Sequence, residues 1–458
     1  IFNIDGNPIN CDEYRQCYYD HKVFSDVGIF STSYGYRSES RSELNYQDVD
    51  ESNHVLNITS AVQDLGARAN FDILPNARHY IKVGGTITHH EFRPETLQRV
   101  SEATSLDSTT SLTQSQPTLR SWEASAYIQD NFALTQRLRV NAGLHFSAFT
   151  TDGTTYSSLQ PRLSARYLLP RHFALKASYS TMVQYLHLLS NSGVGLPIDL
   201  WVPSTPDVPP QRAQQVAAGI SKRIPKLGLE FSVECYYKQL TDLIDYETGV
   251  NFIGSRDWQN LIATDGMGWS YGLEFLVRRT EGRFNGWLGY TLSRTDRQFA
   301  AINEGNKFPY KYDRRHDLSI ALSYDLGKRM TISATWIYGS GAAITLPEGV
   351  HLPPTSPILG FWDLNERPGL GVIINYGDRN SFRLPAYHRL DLNFKMWKPV
   401  SWGEIYWNFG IFNAYNRQNP FFLFLRADYA NNPNIPEIKA RKMSLLPILP
   451  VVNFGFKF

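Results

Sequence analysis

The sequence predicts an all-β protein, a transmembrane antiparallel β-barrel, and three observations support this fold class. From about residue 66 onward, apolar and polar residues alternate with the period of two that a strand with two different faces requires. The connections between these strands alternate between short and long. Phe, Tyr and Trp make up 14% of the 458 residues, yet the mean hydropathy is only −0.33.

The composition excludes several other classes of protein. Transmembrane helices need runs of about 20 apolar residues, and the most apolar stretch, 444–452, is short and holds two prolines. The abundance of aromatic residues argues against a disordered chain. The formal net charge of +2 gives no electrostatic footprint for nucleic acid, so we expect no nucleic-acid partner.

The predicted strands have one apolar and one polar face, as in the segments 138–146, 229–238, 317–325 and 388–396. Many are long enough to cross a membrane at a tilt, which takes about nine to eleven residues. We place about 16 or 17 such strands, with the apolar face against the lipid bilayer and the polar face lining a lumen. Because open sheet edges are not tolerated in hydrocarbon, we expect the sheet to close.

Short and long connections are expected to lie at opposite ends of the barrel, as in outer-membrane barrels with short periplasmic turns and long outer loops. The short turns are predicted near residues 75–76, 135–136, 170–171, 225–226, 281–282, 327–328 and 399–403. The long loops are predicted at about 92–118, 151–158, 183–210, 242–267, 298–313, 342–384 and 414–447. Residues 1–458 are thus expected to form one barrel domain.

The last predicted strand runs toward the short-turn side, which puts the C-terminus in the periplasm. Phe454, Phe456 and Phe458 share one face of this strand with Val452. A terminal aromatic residue with others at two-residue spacing is similar to the insertion signal that the barrel-assembly machinery reads.

The first residues carry a separate question. Cys11 and Cys17 either form a small loop disulfide in an oxidising compartment or remain two free thiols. The chain opens without a signal peptide, so residue 1 is expected not to be the start of the precursor.

Several segments resemble the C-terminal barrel of TonB-dependent outer-membrane receptors, especially those of the Bacteroidetes. They are 159–191, 196–215, 270–279, 312–326, 383–394 and 408–420. The resemblance implies a barrel of about 22 strands, filled by a plug domain of the same polypeptide and coupled to the TonB energy-transducing complex. Because no plug pattern or TonB box is visible, we expect this sequence to be the C-terminal part, or the ordered part, of a longer protein.

The sequence lacks the catalytic and metal-binding motifs that would indicate an enzyme. The sequence holds no Walker loop, no H-E-x-x-H and no C-x-x-C motif, and we expect no cofactor. His89 and His90 could in principle hold a metal, but neighbouring strand residues point to opposite faces, so we expect no metal site there. The charged run 313–317 could bind an anionic ligand, but we favour a structural salt-bridge network that faces the lumen.

The outer loops carry the candidate ligand-binding residues. The 183–210 loop is apolar for an outer loop and could be a ligand wall or lid, a docking site for a partner protein, or a loop packed on its neighbours. Aromatic faces suit sugars, porphyrins and other apolar groups. The candidate residues are Tyr185, His187, Trp201, Trp258 and Trp362.

The favoured function is an outer-membrane receptor for energy-coupled import of a scarce solute: a siderophore, haem, cobalamin, a peptide or a glycan. The alternative is a non-transporting structural or interaction barrel in a multiprotein outer-membrane assembly, with a surface lipoprotein or another outer-membrane protein as its partner. A weaker alternative is a soluble β protein with long strands. Loop shape sets the ligand, and fold does not fix function, so the substrate stays open.

Overall fold

The computed structural model describes most of the chain as β-strands. The described residues are 23–44, 52–103, 108–115, 117–190, 199–248, 250, 258–351, 373–428 and 437–458. The strands in the first half are β1 Val23–Leu44, β2 Ser52–Asn76, β3 His79–Ala103, β4 Ser108–Ser115, β5 Leu119–Ala133, β6 Leu138–Thr151, β7 Thr154–Leu169, β8 Phe173–Gln184, β9 Leu186–Ser190, β10 Asp199–Pro203, β11 Gln211–Ile224 and β12 Leu229–Tyr246.

The second half continues the same pattern. Its strands are β13 Ile262–Arg279, β14 Phe284–Gln298, β15 Phe308–Pro309, β16 His316–Asp325, β17 Met330–Gly339, β18 Ala343–Ile344, β19 Pro347–His351, β20 Ile373–Tyr376, β21 Phe382–Arg383, β22 Tyr387–Val400, β23 Gly403–Phe412, β24 Phe422–Asp428, β25 Glu437–Met443 and β26 Leu449–Lys457. Short 3-10 turns lie at Pro170–His172, Pro225–Leu227, Gln259–Leu261 and Asn303–Gly305.

One antiparallel sheet of 18 strands forms the barrel wall. Without the short strands β4 and β15, which flank the outer ends of their neighbours, 16 wall strands remain, in agreement with the strand number predicted from the sequence. Each wall strand pairs with the next one along the chain, from β1 to β26. In the described part of the chain β1 pairs only with β2, and β26 only with β23, so these two strands are the edges of the described sheet.

The two faces of the wall differ as the period-two pattern predicts. On β6, Leu144 and Phe146 are exposed on the outer face, whereas Ser147 and Phe149 on the inner face are buried. On β12, Phe231, Val233 and Tyr237 are likewise exposed. A row of exposed apolar side chains along strand after strand is stable only against lipid, so the exposed face is the membrane-facing one.

The seven predicted short turns all lie at one end of the wall, at 77–78, 134–137, 170–172, 225–228, 280–283, 326–329 and 401–402. Gly228 closes one of them in the left-handed region with φ of 60°. A Cβ there would lie 2.8 Å from the Cβ of Glu281, so two neighbouring turns approach closely at this glycine. The last strand, β26, runs toward this end.

The opposite end, called the outer end here, differs from the expectation in two places. The predicted loop 151–158 is a two-residue turn, Asp152–Gly153, in which both residues have positive φ. An Asp-Gly pair favours this tight hairpin, so the strict alternation of loop lengths is wrong at this position. The segment 92–118 is largely strand: β3 continues to Ala103 and pairs with β4 beyond its pairing with β5.

Three of the remaining long connections, 183–210, 342–384 and 414–447, carry small hairpins of their own. They are formed by β9 with β10, β18 with β21, β19 with β20, and β24 with β25. No helix in the described residues is long and apolar enough to cross a membrane. Cys11 and Cys17 lie outside the described residues.

Candidate functional site

A connection between β8 and β11 folds across the inner side of the outer end. It consists of residues 185–190 and 199–208 in the described part of the chain, and we call it the strap. Its strand β10 contacts β2 and β3, and its strand β9 contacts β12. Because β3 and β12 lie on opposite sides of the pair β8 and β11 in the sheet order, the strap bridges separate parts of the wall.

The strap is held by an apolar core. Its buried members are Leu189, Leu200, Val202 and Val208 of the strap with Ile244, Tyr246, Trp258 and Ile262. A second cluster continues this core with Leu243, Ala263, Phe299, Ile302 and Phe308. The strap and the outer connections that supply these residues form one folded layer, which we call the outer cap. Burial of this apolar area stabilises the cap as a small protein core would.

A buried charge cluster ties three outer connections together. Asp245 at the end of β12 accepts a hydrogen bond from Arg379 over 2.6 Å and lies 3.5 Å from Arg297 of β14. The backbone amide of Arg379 donates to Asn303 over 3.1 Å. Side-chain exposures of 8% for Arg379 and 9% for Asp245 leave little solvent screening. A buried charge without its partner is costly, so this cluster fixes how the connections lie against one another.

A second feature of the inner face is a concavity of about 380 Å³ near the short-turn end. Its lining comes from β5 to β8, β11 and β12 and mixes charged and amide side chains with small residues, four of them alanines. Lys176 of β8 and Glu234 of β12 approach to 3.4 Å across this surface. The inner wall therefore offers solutes a charged surface beneath the cap.

Comparison with known proteins decides the family. The family model described as TonB dependent receptor-like, beta-barrel, matches residues 10–416. The chain belongs to this family.

Several solved receptor structures have the same fold as this TonB-dependent receptor-like barrel. The chain is similar to the FpvA receptor of Pseudomonas aeruginosa bound to a pyoverdine–iron complex, with 12% identity, a TM-score of 0.57 and coverage of 94% of this chain and 53% of that one. It is similar to the ferric yersiniabactin uptake receptor FyuA of Yersinia pestis, with 10% identity, a TM-score of 0.55 and coverage of 94% and 62%. It is also similar to the FrpB iron transporter of Neisseria meningitidis, with 12% identity, a TM-score of 0.52 and coverage of 89% of this chain and 59% of that one.

The chain thus spans a little over half the length of these solved receptors. Identities of 10–12% show a shared barrel fold alone and do not indicate the ligand of this chain. No curated protein sequence matches the chain.

Three candidate ligand residues of this TonB-dependent receptor-like barrel lie inside the cap. The ring of Tyr185 stacks on Phe149 of the inner wall with a centroid distance of 5.0 Å, and its hydroxyl lies 2.8 Å from the Ser147 hydroxyl. Burial raises the pKa of Tyr185. Trp258 is 3% exposed within the apolar core. Both aromatic rings shape the cap from within.

His187 is fully buried in the strap, with its Nε2 2.9 Å from the Ser204 hydroxyl. Burial lowers the pKa of His187 to about 4, so the ring is neutral at pH 7. Trp201, on the other side of β10 from Leu200 and Val202, is partly exposed. Trp362 lies outside the described residues. The structure thus brings Tyr185, His187 and Trp258 into one layer and leaves Trp201 at its surface.

The histidine pair behaves as strand geometry predicts. His89 packs on Trp122 of the outer face, while Nδ1 of His90 lies 2.7 Å from Asp64 on the inner face. The two rings therefore point apart. Among the described residues no group of three or more His, Cys, Asp and Glu side chains could hold a metal ion. In the charged run, Asp313 is buried and binds Arg383 of β21, which agrees with a structural network.

The sequence contains one match to a catalytic motif that the motif search above missed. Residues 268–272, Gly-Trp-Ser-Tyr-Gly, match the G-x-S-x-G spacing of a hydrolase nucleophile elbow. They lie inside the straight strand β13 and not at a strand-to-helix turn, and the Ser270 hydroxyl lies 2.9 Å from that of Thr295. The match therefore has no catalytic context.

Sequence reasoning also missed the cluster around Asp245 and the lining of the inner concavity. The concavity had a readable signal, because Arg139, Arg166 and Lys176 fall at polar-face positions close to short turns. The cluster had none, because Asp245 and Arg379 are 134 residues apart.

Proposed function

We propose that this chain forms the wall and outer cap of a bacterial outer-membrane receptor that imports a scarce solute. The observation that carries the proposal is a wall with an apolar outside and a polar inside, covered at one end by a folded cap. A polar lumen provides a path for a solute, and a cap provides a surface on which to capture it. Membership of the TonB-dependent receptor-like family supports energy coupling through the TonB complex.

The solute class proposed first is a siderophore, with haem, cobalamin, a peptide or a glycan as the other candidates. Support comes from solved barrels of the same fold, which include a receptor for ferripyoverdine and one for ferric yersiniabactin. In this chain Trp201 is the described candidate with a partly exposed ring, so it is the proposed contact. Tyr185, His187 and Trp258 are proposed to shape the binding surface, and Trp362 stays a proposed contact.

The proposed partners follow from the same reading. They are the lipid bilayer, a plug domain of the same polypeptide, the TonB complex and the barrel-assembly machinery. Phe454, Phe456 and Phe458 are exposed along β26, as an insertion signal must be before the strand is inserted. We further propose a receptor of the Bacteroidetes type, with the C-terminus on the periplasmic side.

The non-transporting assembly barrel is the second candidate, and in the sequence it is motivated by the missing plug pattern and by the apolar 183–210 segment. In the structure the apolar strap residues Leu189, Leu200 and Val202 are buried within the cap. These residues therefore do not form an exposed apolar docking surface. We favour transport for this reason.

Uptake in the source bacterium tests the import proposal. Growth on candidate solutes and uptake of labelled solute are measured in wild type, in a strain lacking this gene and in a strain lacking TonB. We expect one solute whose uptake falls to background in both mutants. Uptake that survives loss of TonB contradicts the proposal, and a stable partner protein without any solute dependence supports the assembly barrel.

Orientation is tested with two single cysteines in tight turns at opposite ends of the wall. Asp152→Cys lies in the outer turn and Gly327→Cys in the 326–329 turn, where a Cβ meets nothing within 4 Å. A membrane-impermeant maleimide on intact cells should label the first and spare the second, relative to the wild-type chain with its own cysteines. The reverse pattern would put the short turns and the C-terminus outside.

A further inference from the structure

A group of charged residues lies on the membrane-facing side of the wall, next to the outer end. Arg294 and Asp296 of β14 point outward like Leu292, which is 37% exposed. Trp269 of β13 lies on the same face, because it pairs in register with Asp296. The Nζ atom of Lys307, just before β15, lies 3.8 Å from the centre of the Trp269 ring. We call Arg294, Asp296 and Lys307 the outer-face cluster.

Strand length gives the height of this cluster in the membrane. The outward residues of β14 begin at Phe284, beside the 280–283 turn, and include Arg294. A strand rises about 3.3 Å per residue, so these two residues are about 33 Å apart along β14. At a tilt of about 40° this length spans a height of about 25 Å, the height of the apolar band of an outer-membrane barrel. Arg294 therefore lies at the level of the lipid headgroups on the outer side.

Both cations of the cluster keep donors that the protein does not use. The Nε atom of Arg294 donates to Asp296 over 2.6 Å, and no other described residue accepts a hydrogen bond from this guanidinium group. Lys307 contacts the Trp269 ring and has no described carboxylate within ion-pair distance. Side-chain exposures are 44% for Arg294 and 10% for Asp296. The cluster thus has an excess of one positive charge, and the Nη atoms of Arg294 and the ammonium of Lys307 remain accessible.

Aromatic rings lie directly beneath the cluster on the same face. Tyr271 follows Trp269 on the outward side of β13, and its ring centre lies 6.5 Å from that of Tyr237 on β12. Trp and Tyr favour the membrane interface because each combines an apolar ring with a polar group. Leu273 and Leu292 continue the face toward the middle of the wall and are exposed. The surface therefore changes from charged to aromatic to aliphatic in the order of a lipid's own headgroup and chains.

We propose that the outer-face cluster binds the phosphate group of one lipid in the outer half of the bilayer. The guanidinium group of Arg294 binds phosphate oxygens through paired hydrogen bonds, and Lys307 adds a compact charge. A phosphate monoester has more than one negative charge at neutral pH and so offsets the positive excess. The site is on the outside of the wall, where a plug domain does not reach, and it does not depend on the import function.

Native mass spectrometry of the full chain, released from detergent micelles, tests the proposal by counting bound lipids. Dimyristoyl phosphatidic acid supplies a phosphate monoester. Dimyristoyl phosphatidylcholine is the comparison, because its choline group balances the phosphate charge. We expect one molecule of phosphatidic acid to stay bound at collision energies that remove phosphatidylcholine.

Two variants test the two cations separately. Lys307→Gln should weaken the binding of phosphatidic acid about tenfold or more, because one charge-assisted contact is lost. Arg294→Lys keeps a cation beside Asp296 but removes the paired donors, and it should also weaken binding. Titration of the lipid gives the apparent Kd of each variant, and heat-modifiable gel mobility reports that each is folded.

Lys222 provides the matched control at the opposite end of the wall. Its Nζ atom lies 4.5 Å from the centre of the Phe173 ring on the same outer face, close to the 225–228 turn. Lys222→Gln therefore removes a membrane-facing cation that packs on an aromatic ring and leaves the outer-face cluster intact. This variant should bind phosphatidic acid as the wild type does.

Three results would overturn the proposal. Equal weakening by Lys222→Gln would mean that the whole face attracts anionic lipid. Equal retention of phosphatidylcholine would mean that the cluster does not select the phosphate charge. Displacement of the lipid by an equal concentration of inorganic phosphate would mean that the cluster binds free phosphate and not a lipid.

Discussion

The outer cap and the barrel wall treat apolar side chains in opposite ways. The cap buries Leu189, Val202 and Phe299 among its own residues. The wall presents Leu144, Phe146 and similar residues outward and carries ion pairs such as Lys176–Glu234 on its inner face. The cap faces water and therefore buries its apolar side chains. The wall faces lipid and therefore exposes apolar side chains on its outer surface.

This difference has a consequence for stability. The cap depends on packing between loops that come from distant parts of the chain, so a cavity within it should loosen the cap alone. The wall depends on backbone pairing between sequence neighbours and on its outer face matching the bilayer. Perturbations chosen for one region should therefore leave the other unaffected.

The largest expected effect is on the cap. Trp258→Ala empties the apolar core that holds the strap and should cost the cap about 3–5 kcal/mol. Limited proteolysis in detergent should cut the strap rapidly while heat-modifiable mobility of the wall is retained. Trp201→Ala, at the surface of the same strap, is the matched control and should leave cutting nearly unchanged. Loss of the folded wall in Trp258→Ala would contradict the independence of the two regions.

The next effect is on the wall. Leu288 faces outward on β14, and Leu288→Arg should destabilise the lipid-inserted chain by about 2–4 kcal/mol. Thr291 on the same strand faces inward opposite Glu274, so Thr291→Arg should be tolerated. Urea unfolding from lipid vesicles measures both. Equal destabilisation by the two variants would mean that the faces are assigned wrongly.

Acid should act on the cap through His187. Above pH 6.5 the ring is neutral in the folded and the unfolded chain and has no effect. Below pH 6.5 the unfolded ring binds a proton that the buried ring, with its pKa of about 4, does not, so the cap loses about 2 kcal/mol by pH 5. Hydrogen exchange of the strap between pH 7 and pH 5 measures this loss. A His187→Gln chain should lack this part of the pH dependence, and an unchanged dependence would rule out His187 as its source.

The smallest expected effect lies at the contact between the two regions. Tyr185→Phe keeps the stack on Phe149 but removes the hydroxyl beside Ser147, so the strap should lose about 1 kcal/mol. Hydrogen exchange at the strap reports it. Tyr167→Phe on the outer face, where the exposed fraction is 40%, is the comparison and should leave strap exchange unchanged.

The wall was predictable from the sequence because its determinants are local. Period-two alternation assigned the faces of β6 and β12, and the short turns were found where Gly, Pro and charged residues interrupt the strands. The difference at 151–158 has a local cause as well, because the Asp152–Gly153 pair favours a two-residue hairpin in place of the predicted loop.

The cap was not predictable in the same way. Tyr185 and Trp258 are candidate ligand contacts by residue type and loop position, and they are buried because separate connections meet over them. Nothing in the local sequence says that β12, the strap and the segment around Arg379 come together. Candidate residues on such loops can be chosen by type, but their exposure depends on contacts between distant segments.

The pairing order of the wall also sets a sequence of events in assembly. Every wall strand joins its neighbour in the chain, so hairpins can be added one after another with little loop-closure entropy. The ion pair between Asp245 and Arg379 spans 134 residues and needs β13 to β17 in place before it can form. The cap therefore completes its folding late in assembly. Until then it does not cover the lumen, and a plug domain could enter.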